Sequence, residues 1–574
     1  MIIEKQEYNR FKDTKVKNPL YAHQKYVLNY DDWDSFKIHV PTSCGKTLSA
    51  VLFALKKKYD NPKNIVRTIL TYPTNLLSKN QFEASIVRGI KEWIGAEELR
   101  KFPKGKCFIH PIKKDFVPCD WQDFSEMCGA PTIVFKLPTK LGSSKLLITV
   151  LNGEILFNMF SEENRIELGE RKGKYLLNIL EKIMNYDHIL ITSPDLLGYV
   201  AQECYSVSTG WYNRRWKDEL SIKFWEHNIV VDEYHFYDPY TYINLENTIK
   251  KLNIEKTLLL SATEKSSHFK NAKTISLNDV EKEFSKDKVD TRIASYPIEV
   301  NLVEDEMEIN PKPHLETIYF FNSVITAHEI ANELRKNNIK LTEWTGIEKS
   351  KDKLNKLIIA TSAAEIGLDL PLQEMHTEFW GQDWEIPSLI QRIGRIGRFE
   401  SKHPFKAFIY IKDAQQPYLI KDIFENNETM TKDKFTELLN EKYGIYEFNP
   451  KDYVSYYLWD EKLKEELKKK WQVINEKINF YFRPPQTQAI FVWNDHKFIY
   501  NKSVIENRYN IELVKKITDI PFWRAFGLSE YEITNKKMGR EWKKPYDGKL
   551  GTPPTKNKKW FIFNKEDDSI NNII

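Results

Sequence analysis

The chain has 574 residues, 41% of them hydrophobic and 29% charged, with a net charge of +5; that is too long for one compact domain and ordinary for a globular protein. No apolar run approaches the roughly 18 residues that a membrane span needs, and the opening segment Met1–Pro19 is polar, without the apolar core of a signal peptide. Five cysteines, Cys44, Cys107, Cys119, Cys128 and Cys204, are few and odd in number, which fits a reducing compartment; the expected location is cytoplasmic and no membrane partner is expected.

Along the chain, short apolar runs alternate with helical stretches. Strands are expected at Ile65–Thr71, His188–Thr192, Asn228–Val231 and Thr257–Leu260. They are apolar on both faces, as buried parallel strands are. About a hundred residues between Gln81 and Tyr186 exceed what a minimal α/β core needs. Within them Lys145–Leu151 and Ile155–Phe160 flank Asn152-Gly153, which predicts a hairpin. Cys107, His110, Cys119 and Cys128 also fall there; they are read as ordinary reduced cysteines, with a zinc site as the alternative, because the spacing is not paired Cys-x-x-Cys. Cys204 and His188 read as core or near-core residues.

Val280–Glu299 is charged and lacks a clear period, which places a domain boundary there. The strand pattern then restarts at Thr317–Phe321, Lys340–Trp344, Lys356–Ala360 and Ala407–Ile411. The expectation is an α/β fold with two parallel-sheet domains in tandem, 1–285 (with an insert at about 82–185) and 286–415, followed by a mixed accessory region, 416–574. In that region Glu461–Lys477 reads as a charged amphipathic helix and Gln488–Tyr500 as a hairpin around Asn494-Asp495. Trp459, Trp471 and Trp493 read as packing residues. Lys536, Lys537, Arg540, Lys543, Lys544, Lys549, Lys556, Lys558 and Lys559 crowd the C-terminal tail among Trp542, Tyr546 and Trp560. Basic residues interleaved with aromatics suit a nucleic acid; a solvated tail or an acidic protein partner is the other reading.

Three segments carry chemistry. Val40-Pro41-Thr42-Ser43-Cys44-Gly45-Lys46-Thr47 is a tight loop opening a helix. Such a loop offers backbone N–H groups to phosphates, with Lys46 for the β and γ phosphates and the Thr47 hydroxyl for Mg²⁺. The first position is Val40 rather than the usual glycine. Asp232-Glu233 follows an apolar strand, so it projects where ligands of α/β sheets bind. Asp232 can hold Mg²⁺ through water, and Glu233 can position the attacking water and accept its proton. Gln391-Arg392-Ile393-Gly394-Arg395-Ile396-Gly397-Arg398 spaces three arginines three apart, roughly on one face of a helix. Arginine in that role stabilises charge on a transferring phosphoryl group. This segment lies in the second α/β domain, so hydrolysis would require domain closure.

Together, in this order, the three segments resemble those of superfamily 2 DExH-type helicases, over about residues 20 to 415. Val40-Pro41-Thr42 is similar to the Ala-Pro-Thr opening common there. The resemblance implies two RecA-like domains that use ATP and Mg²⁺. It implies an adenine-reading Gln24 within Tyr21–Gln24, and ATP-site roles for Gln391, Arg395 and Arg398. It implies nucleic-acid contacts from Pro73 and Thr74, and from Thr192 and Ser193. Ser261 and Thr263 would link the ATP site to the nucleic-acid path. Asn322 and Ser323, Thr361, and Gly367 with Asp369 would be the matching elements of the second domain.

The form Asp232-Glu233-Tyr234-His235-Phe236-Tyr237-Asp238 is similar to the helicase subunit of type I CRISPR interference, most like the type I-D form. That wider family often carries an N-terminal histidine-aspartate nuclease. About twenty residues precede Gln24, with no His-Asp pair among them, and the C-terminal region has only His403 and His496. The resemblance therefore implies a helicase without its own nuclease. It would move on single-stranded DNA beside a crRNA-guided surveillance complex and a nuclease-bearing large subunit. A general DNA repair or RNA helicase, and an ATP-gated nucleic-acid clamp, are the alternatives.

Overall fold

Buried runs form the interior of one parallel sheet in the first part of the chain. The computed structural model of the protein describes residues 1–30, 35–40, 45–74, 77–78, 81–99, 106–110, 116–119, 129–158, 172–201, 223–224, 226–237, 239–261, 272–275, 277–312, 314–345, 355–365 and 371–444. It also describes strands at 488–493, 496–501, 517–520, 532–537, 540–545 and 560–563. The chain divides into two compact units, the first holding Lys5–Ser295 and the second Met1–Glu4, Tyr296–Ile445 and the segment from Val454. Among the described residues no helix is long and apolar enough to cross a membrane.

In the first unit the parallel strands run in the order Lys273–Ile275, Phe36–His39, Lys256–Ser261, Asn228–Asp232, Arg67–Thr71, Asp187–Thr192, Lys145–Leu151. Asp187–Thr192 and Asn228–Asp232 are buried at every position, as a sheet covered on both faces demands. Helix Lys46–Asp60 follows the first of these strands in sequence. Leu48, Val51, Leu52 and Leu55 give it a buried stripe at helical spacing. It stops at Asn61, extended at φ −149°, because a residue before proline is pushed out of the helical region.

The insert widens this sheet. Ala130–Lys136 pairs antiparallel with Lys145–Leu151, and Lys106–Ile109 with Phe116–Cys119 continue outward. The Asn152-Gly153 hairpin does not form: Gly153–Asn158 is a helix. The Asn152 side chain accepts the Ile155 N–H at 2.9 Å, so the asparagine works as a helix cap rather than a turn residue. Lys145–Leu151 pairs in parallel with Asp187–Thr192, and a parallel pair needs a crossover that a two-residue turn cannot supply. Cys107 is buried, which pushes its thiol up to about 12. Cys119 pairs opposite Lys106 rather than opposite Cys107. Cys44, Cys128 and Cys204 lie outside the described residues.

The stretch Val280–Glu299 is regular rather than irregular. It contains the end of helix Leu277–Glu283, strand Lys288–Ser295, and the start of strand Ile298–Val303. Lys288–Ser295 pairs antiparallel with Gln6–Phe11, a partner some 280 residues distant that no local pattern announces, and Arg10 is paired with Asp290 across it.

The second unit has its own sheet, in the order Thr342–Trp344, Leu357–Ala360, Thr317–Phe320, Glu374–Glu378, Phe405–Tyr410, Ile298–Val303, Ile2–Ile3, Thr429–Met430. All neighbours are parallel except Ile2–Ile3 against Ile298–Val303. Helices Pro417–Glu425 and Lys432–Tyr443 follow. Further on, six strands form an antiparallel sheet in which Gln488–Trp493 pairs with His496–Asn501, as the expected hairpin does. Part of the basic C-terminal stretch is strand, Glu532–Lys537 and Arg540–Pro545. Glu461–Lys477, Trp459, Trp471 and Lys549 to Lys559 lie outside the described residues.

Candidate active site

At the carboxyl ends of the first unit's parallel strands the sequence-expected residues converge. Gly45 sits at φ +71°, and a Cβ there would lie 2.6 Å from Gln24 Nε2. Both the left-handed backbone and the close approach call for glycine. Helix Lys46–Asp60 begins at the next residue, so the positive end of its dipole lies at Gly45. Pro41, Thr42, Ser43 and Cys44 lie outside the described residues.

The Lys46 ammonium lies 3.0 Å from one Glu233 carboxylate oxygen and 3.1 Å from the other. Glu233 follows the last residue of strand Asn228–Asp232 and holds φ 50°, ψ 42°. A non-glycine residue in the left-handed region costs on the order of 1–3 kcal/mol and marks functional turns. The turn carries the carboxylate off the strand axis toward Lys46. Asp232 is 4% exposed, and one of its carboxylate oxygens accepts the Glu233 N–H at 2.9 Å. Burial, then the neighbouring Glu233 charge, pushes its carboxyl up to about 7.

Two histidines brace this turn. His39 ends strand Phe36–His39, just before the phosphate loop, and its Nε2 lies 2.6 Å from the Tyr234 hydroxyl. Burial, with help from Lys37 and Lys46, lowers His39 to about 4, so it is neutral at physiological pH. His235 Nδ1 lies 2.7 Å from Ser261 Oγ and 3.5 Å from a Glu233 oxygen. Ser261 thus meets the acidic segment directly; Thr263 lies outside the described residues.

Gln24 is buried, with both ends of its amide engaged. Its Oε1 accepts the Tyr21 N–H and its Nε2 donates to the Gly45 carbonyl, each at 3.0 Å. The Thr47 hydroxyl donates to Gln81 Oε1 at 2.9 Å. Thr74 accepts the Leu77 N–H on its hydroxyl at 3.1 Å, Ser193 accepts the Leu196 N–H at 3.3 Å, and Pro73 and Thr192 are buried. The Tyr72 hydroxyl is fully buried without a hydrogen-bond partner among the described residues. The charges of Asp232 and Glu233 add to burial in raising it well above its ordinary value.

In the second unit the arginine segment departs from the expectation of one helical face. Helix Ile386–Ile393 ends before Gly394, and Gly397 takes φ +70°. The two glycines end the helix, so Arg395 and Arg398 stand on a turn. Arg392 is 5% exposed. Its Nε donates to Glu365 at 2.6 Å, and its Nη1 donates to Thr377 at 2.8 Å and Asn322 at 3.1 Å. Asn322 also donates from its backbone to Glu378 and from its side chain to Glu385, at 2.7 and 2.6 Å. Burial raises both of those carboxyls. Arg395 donates to the Glu365 carbonyl, and Arg398 Nε to the Gly394 carbonyl at 2.8 Å. Ser323 caps helix Val324–Lys336 through Thr326, and Gln391 and Thr361 are buried. Gly367 and Asp369 lie outside the described residues.

His39, Tyr234, Gln81, Arg392 and Glu365 also hold these residues in place, beyond those that the sequence singles out one by one. Tyr234 and Arg392 stood inside recognised motifs. Nothing local distinguished His39 or Glu365, and Gln81 stood at the edge of an apparently dispensable insert.

Residues 300–400 match the family model described as the helicase conserved C-terminal domain. No curated protein matches the chain in sequence. Among solved structures the chain is similar to the DUF1998 helicase MrfA bound to DNA and AMPPNP, at 16% identity over 96% of this chain and 74% of that one, TM-score 0.46. It is similar to S. cerevisiae Dbp5 bound to RNA and ADP BeF3, at 13% identity over 73% and 93%, TM-score 0.39. It is also similar to T. fusca Cas3-ADP, at 12% identity over 82% and 58%, TM-score 0.44. The match to the helicase conserved C-terminal domain is confined to residues 300–400, which lie in the second unit.

Proposed function

We propose that the chain is an ATP-driven helicase or translocase that moves on single-stranded DNA. In this reading it opens target DNA for a separate nuclease in type I CRISPR defence, recruited by a crRNA-guided surveillance complex. The observation that carries the enzymatic part is the convergence of Lys46, Glu233 and Asp232 at the carboxyl edge of the parallel sheet. The aromatic third residue Tyr234, followed by Phe236-Tyr237-Asp238, supports the CRISPR part.

Asp232 and Thr47 fit a Mg²⁺ ion bound together with nucleotide. Asp232 is a buried carboxylate at the end of its strand, beside the Glu233 charge, and its ionised form wants a counter-cation; Thr47 offers a hydroxyl one residue from Lys46. Mg²⁺ takes one or two protein oxygens plus phosphates and waters, so no larger acidic cluster is required. When bound, the ion neutralises charge on the β and γ phosphates. Lys46 leaves Glu233 to hold those phosphates. The freed Glu233 carboxylate then positions a water and accepts its proton. Gln24 supports the loop through Gly45 and is assigned to the adenine. Arg395, Arg398 and Gln391 are assigned to the transferring phosphoryl group, and Gly367 and Asp369 to the nucleotide.

Thr74, Thr192, Ser193, Asn322, Ser323 and Thr361 are assigned to phosphate contacts, with Ser261 and Thr263 as the link. Hydroxyl and backbone contacts of this kind carry no direct sequence information. ATPase stimulation by homopolymeric single-stranded DNA, without stimulation by RNA, is the expected result. Strong stimulation by RNA alone would favour an RNA helicase. ATPase without strand displacement would favour a clamp. Failure to join a crRNA-guided complex at its target would sink the CRISPR role while leaving the motor.

A further inference from the structure

The Thr47 hydroxyl has one proton to give and two lone pairs to offer. Its proton goes to Gln81 Oε1 at 2.9 Å. An amide oxygen can only accept, so this bond fixes the hydroxyl rotor and leaves both lone pairs turned away from Gln81. A hydroxyl that must ligate a cation needs that state: its proton pointed elsewhere, its lone pairs free.

The scaffold holding Gln81 is unusual. It opens a π-helical stretch, Gln81–Ile86, followed by Val87–Gly89 and a second π stretch, Ile90–Ile94. The cause lies in the sequence. Phe82, Ile86, Ile90 and Ile94 are all buried at a strict four-residue spacing. An α-helix would rotate that stripe by about 40° at each step. Turns with more residues bring it back into line, and π turns concentrate at functional sites. This helix packs on helix Lys46–Asp60 beside Gly89, where an added Cβ would make ordinary contact with Leu48 at 3.6 Å and Val51 at 3.8 Å. The packing thus sets where Gln81 stands relative to Thr47.

We propose that Gln81 is a positioning residue for the nucleotide-bound Mg²⁺, acting by orienting the Thr47 hydroxyl. The proposal rests on the reading of Thr47 as a metal ligand. Removing a group that orients a ligand commonly costs about 10- to 100-fold in metal affinity. The same stretch of chain holds Thr74, assigned above to nucleic acid, seven positions before Gln81. The residue that aims the metal ligand is therefore near a strand-contacting segment in sequence.

The test is the binding of a fluorescent ATP analogue to the full chain, titrated with Mg²⁺ and repeated in EDTA. Gln81→Leu and Gln81→Met remove the acceptor at similar volume, so at least one folded variant without it should be available. Gln81→Glu keeps an acceptor. In the two apolar variants the Mg²⁺ concentration for half-maximal binding should rise about tenfold or more, with EDTA binding unchanged. Gln81→Glu should match or improve on the wild type. Equal weakening in all three, or loss of binding in EDTA as well, would mean that Gln81 is merely structural and would overturn the proposal. Thr47→Ala separates the two layers. If it leaves the Mg²⁺ dependence intact, the metal role of Thr47 fails. If it abolishes that dependence while the apolar Gln81 variants keep it, the Gln81 role alone fails.

Discussion

The Lys46 ammonium sits within 3.0 Å of the Glu233 carboxylate, so the cation proposed for phosphate and the base proposed for water neutralise each other. In the proposed function ATP separates them. Glu233→Gln removes the competing charge and the base together. ATP affinity should stay equal or rise, while turnover should fall on the order of a hundredfold or more. Lys46→Ala should instead lose tight nucleotide binding. Equilibrium binding and steady-state ATPase on the same preparations separate the cases, and near-normal turnover in Glu233→Gln would remove that residue as the base.

Asp232 gives the site a pH signature. Burial and the Glu233 charge push its carboxyl up to about 7, whereas Mg²⁺ prefers the ionised form. Mg²⁺-dependent nucleotide binding should therefore weaken as pH falls from 8 to 6, with proton release on metal uptake. The sign for stability runs the other way. A carboxyl whose folded pKa is raised favours the fold fully below its unfolded value near 3.8, and that contribution is lost as pH rises through about 7. Without Mg²⁺ the first unit should lose stability across that window, and Asp232→Asn should flatten the slope. A slope unchanged in Asp232→Asn would assign the effect to another group.

Gly45 is fixed by two independent demands, a φ of +71° and the Gln24 amide 2.6 Å from any Cβ. Gly45→Ala should weaken nucleotide binding and lower the melting temperature. Adding Gln24→Ala relieves the steric part and leaves the backbone part. The double variant should thus recover some stability over Gly45→Ala but not nucleotide affinity. Full recovery of both would show that the left-handed backbone carries no weight there.

Sheet order and site were legible in unequal measure. The strands expected at Ile65–Thr71, His188–Thr192, Asn228–Val231 and Thr257–Leu260 announced themselves because buried parallel strands are apolar on both faces, and Asn228–Asp232 is such a run ending in the acidic pair. What failed was decided at long range. Asn152-Gly153 carries a strong turn signal, yet the parallel partner of Lys145–Leu151 required a helix there. Lys288–Ser295 looked irregular because its partner strand is at the other end of the first unit's sequence. Gln81 looked dispensable because an insert boundary drawn by strand counting does not reveal a side chain reaching back to Thr47.

The arginine segment splits into a strut and two candidate effectors, and this division can be tested. Arg392 is buried and donates to Glu365, Thr377 and Asn322, so it ties the arginine segment to the loops after two neighbouring strands. Removing one partner of a buried, hydrogen-bonded ion pair leaves Glu365 uncompensated and costs about 3–5 kcal/mol. Arg392→Ala should therefore unfold the second unit at lower temperature or denaturant, and lose activity as a consequence. Arg398 is less buried and bonds the Gly394 carbonyl. Arg398→Ala should melt near the wild-type temperature while turnover falls more than nucleotide affinity. Thermal melts paired with kcat and KM for ATP read both. Arg392→Ala melting like the wild type would mean that its buried bonds contribute little net stability. A loss of ATP affinity with normal turnover in Arg398→Ala would make that arginine a ground-state ligand instead.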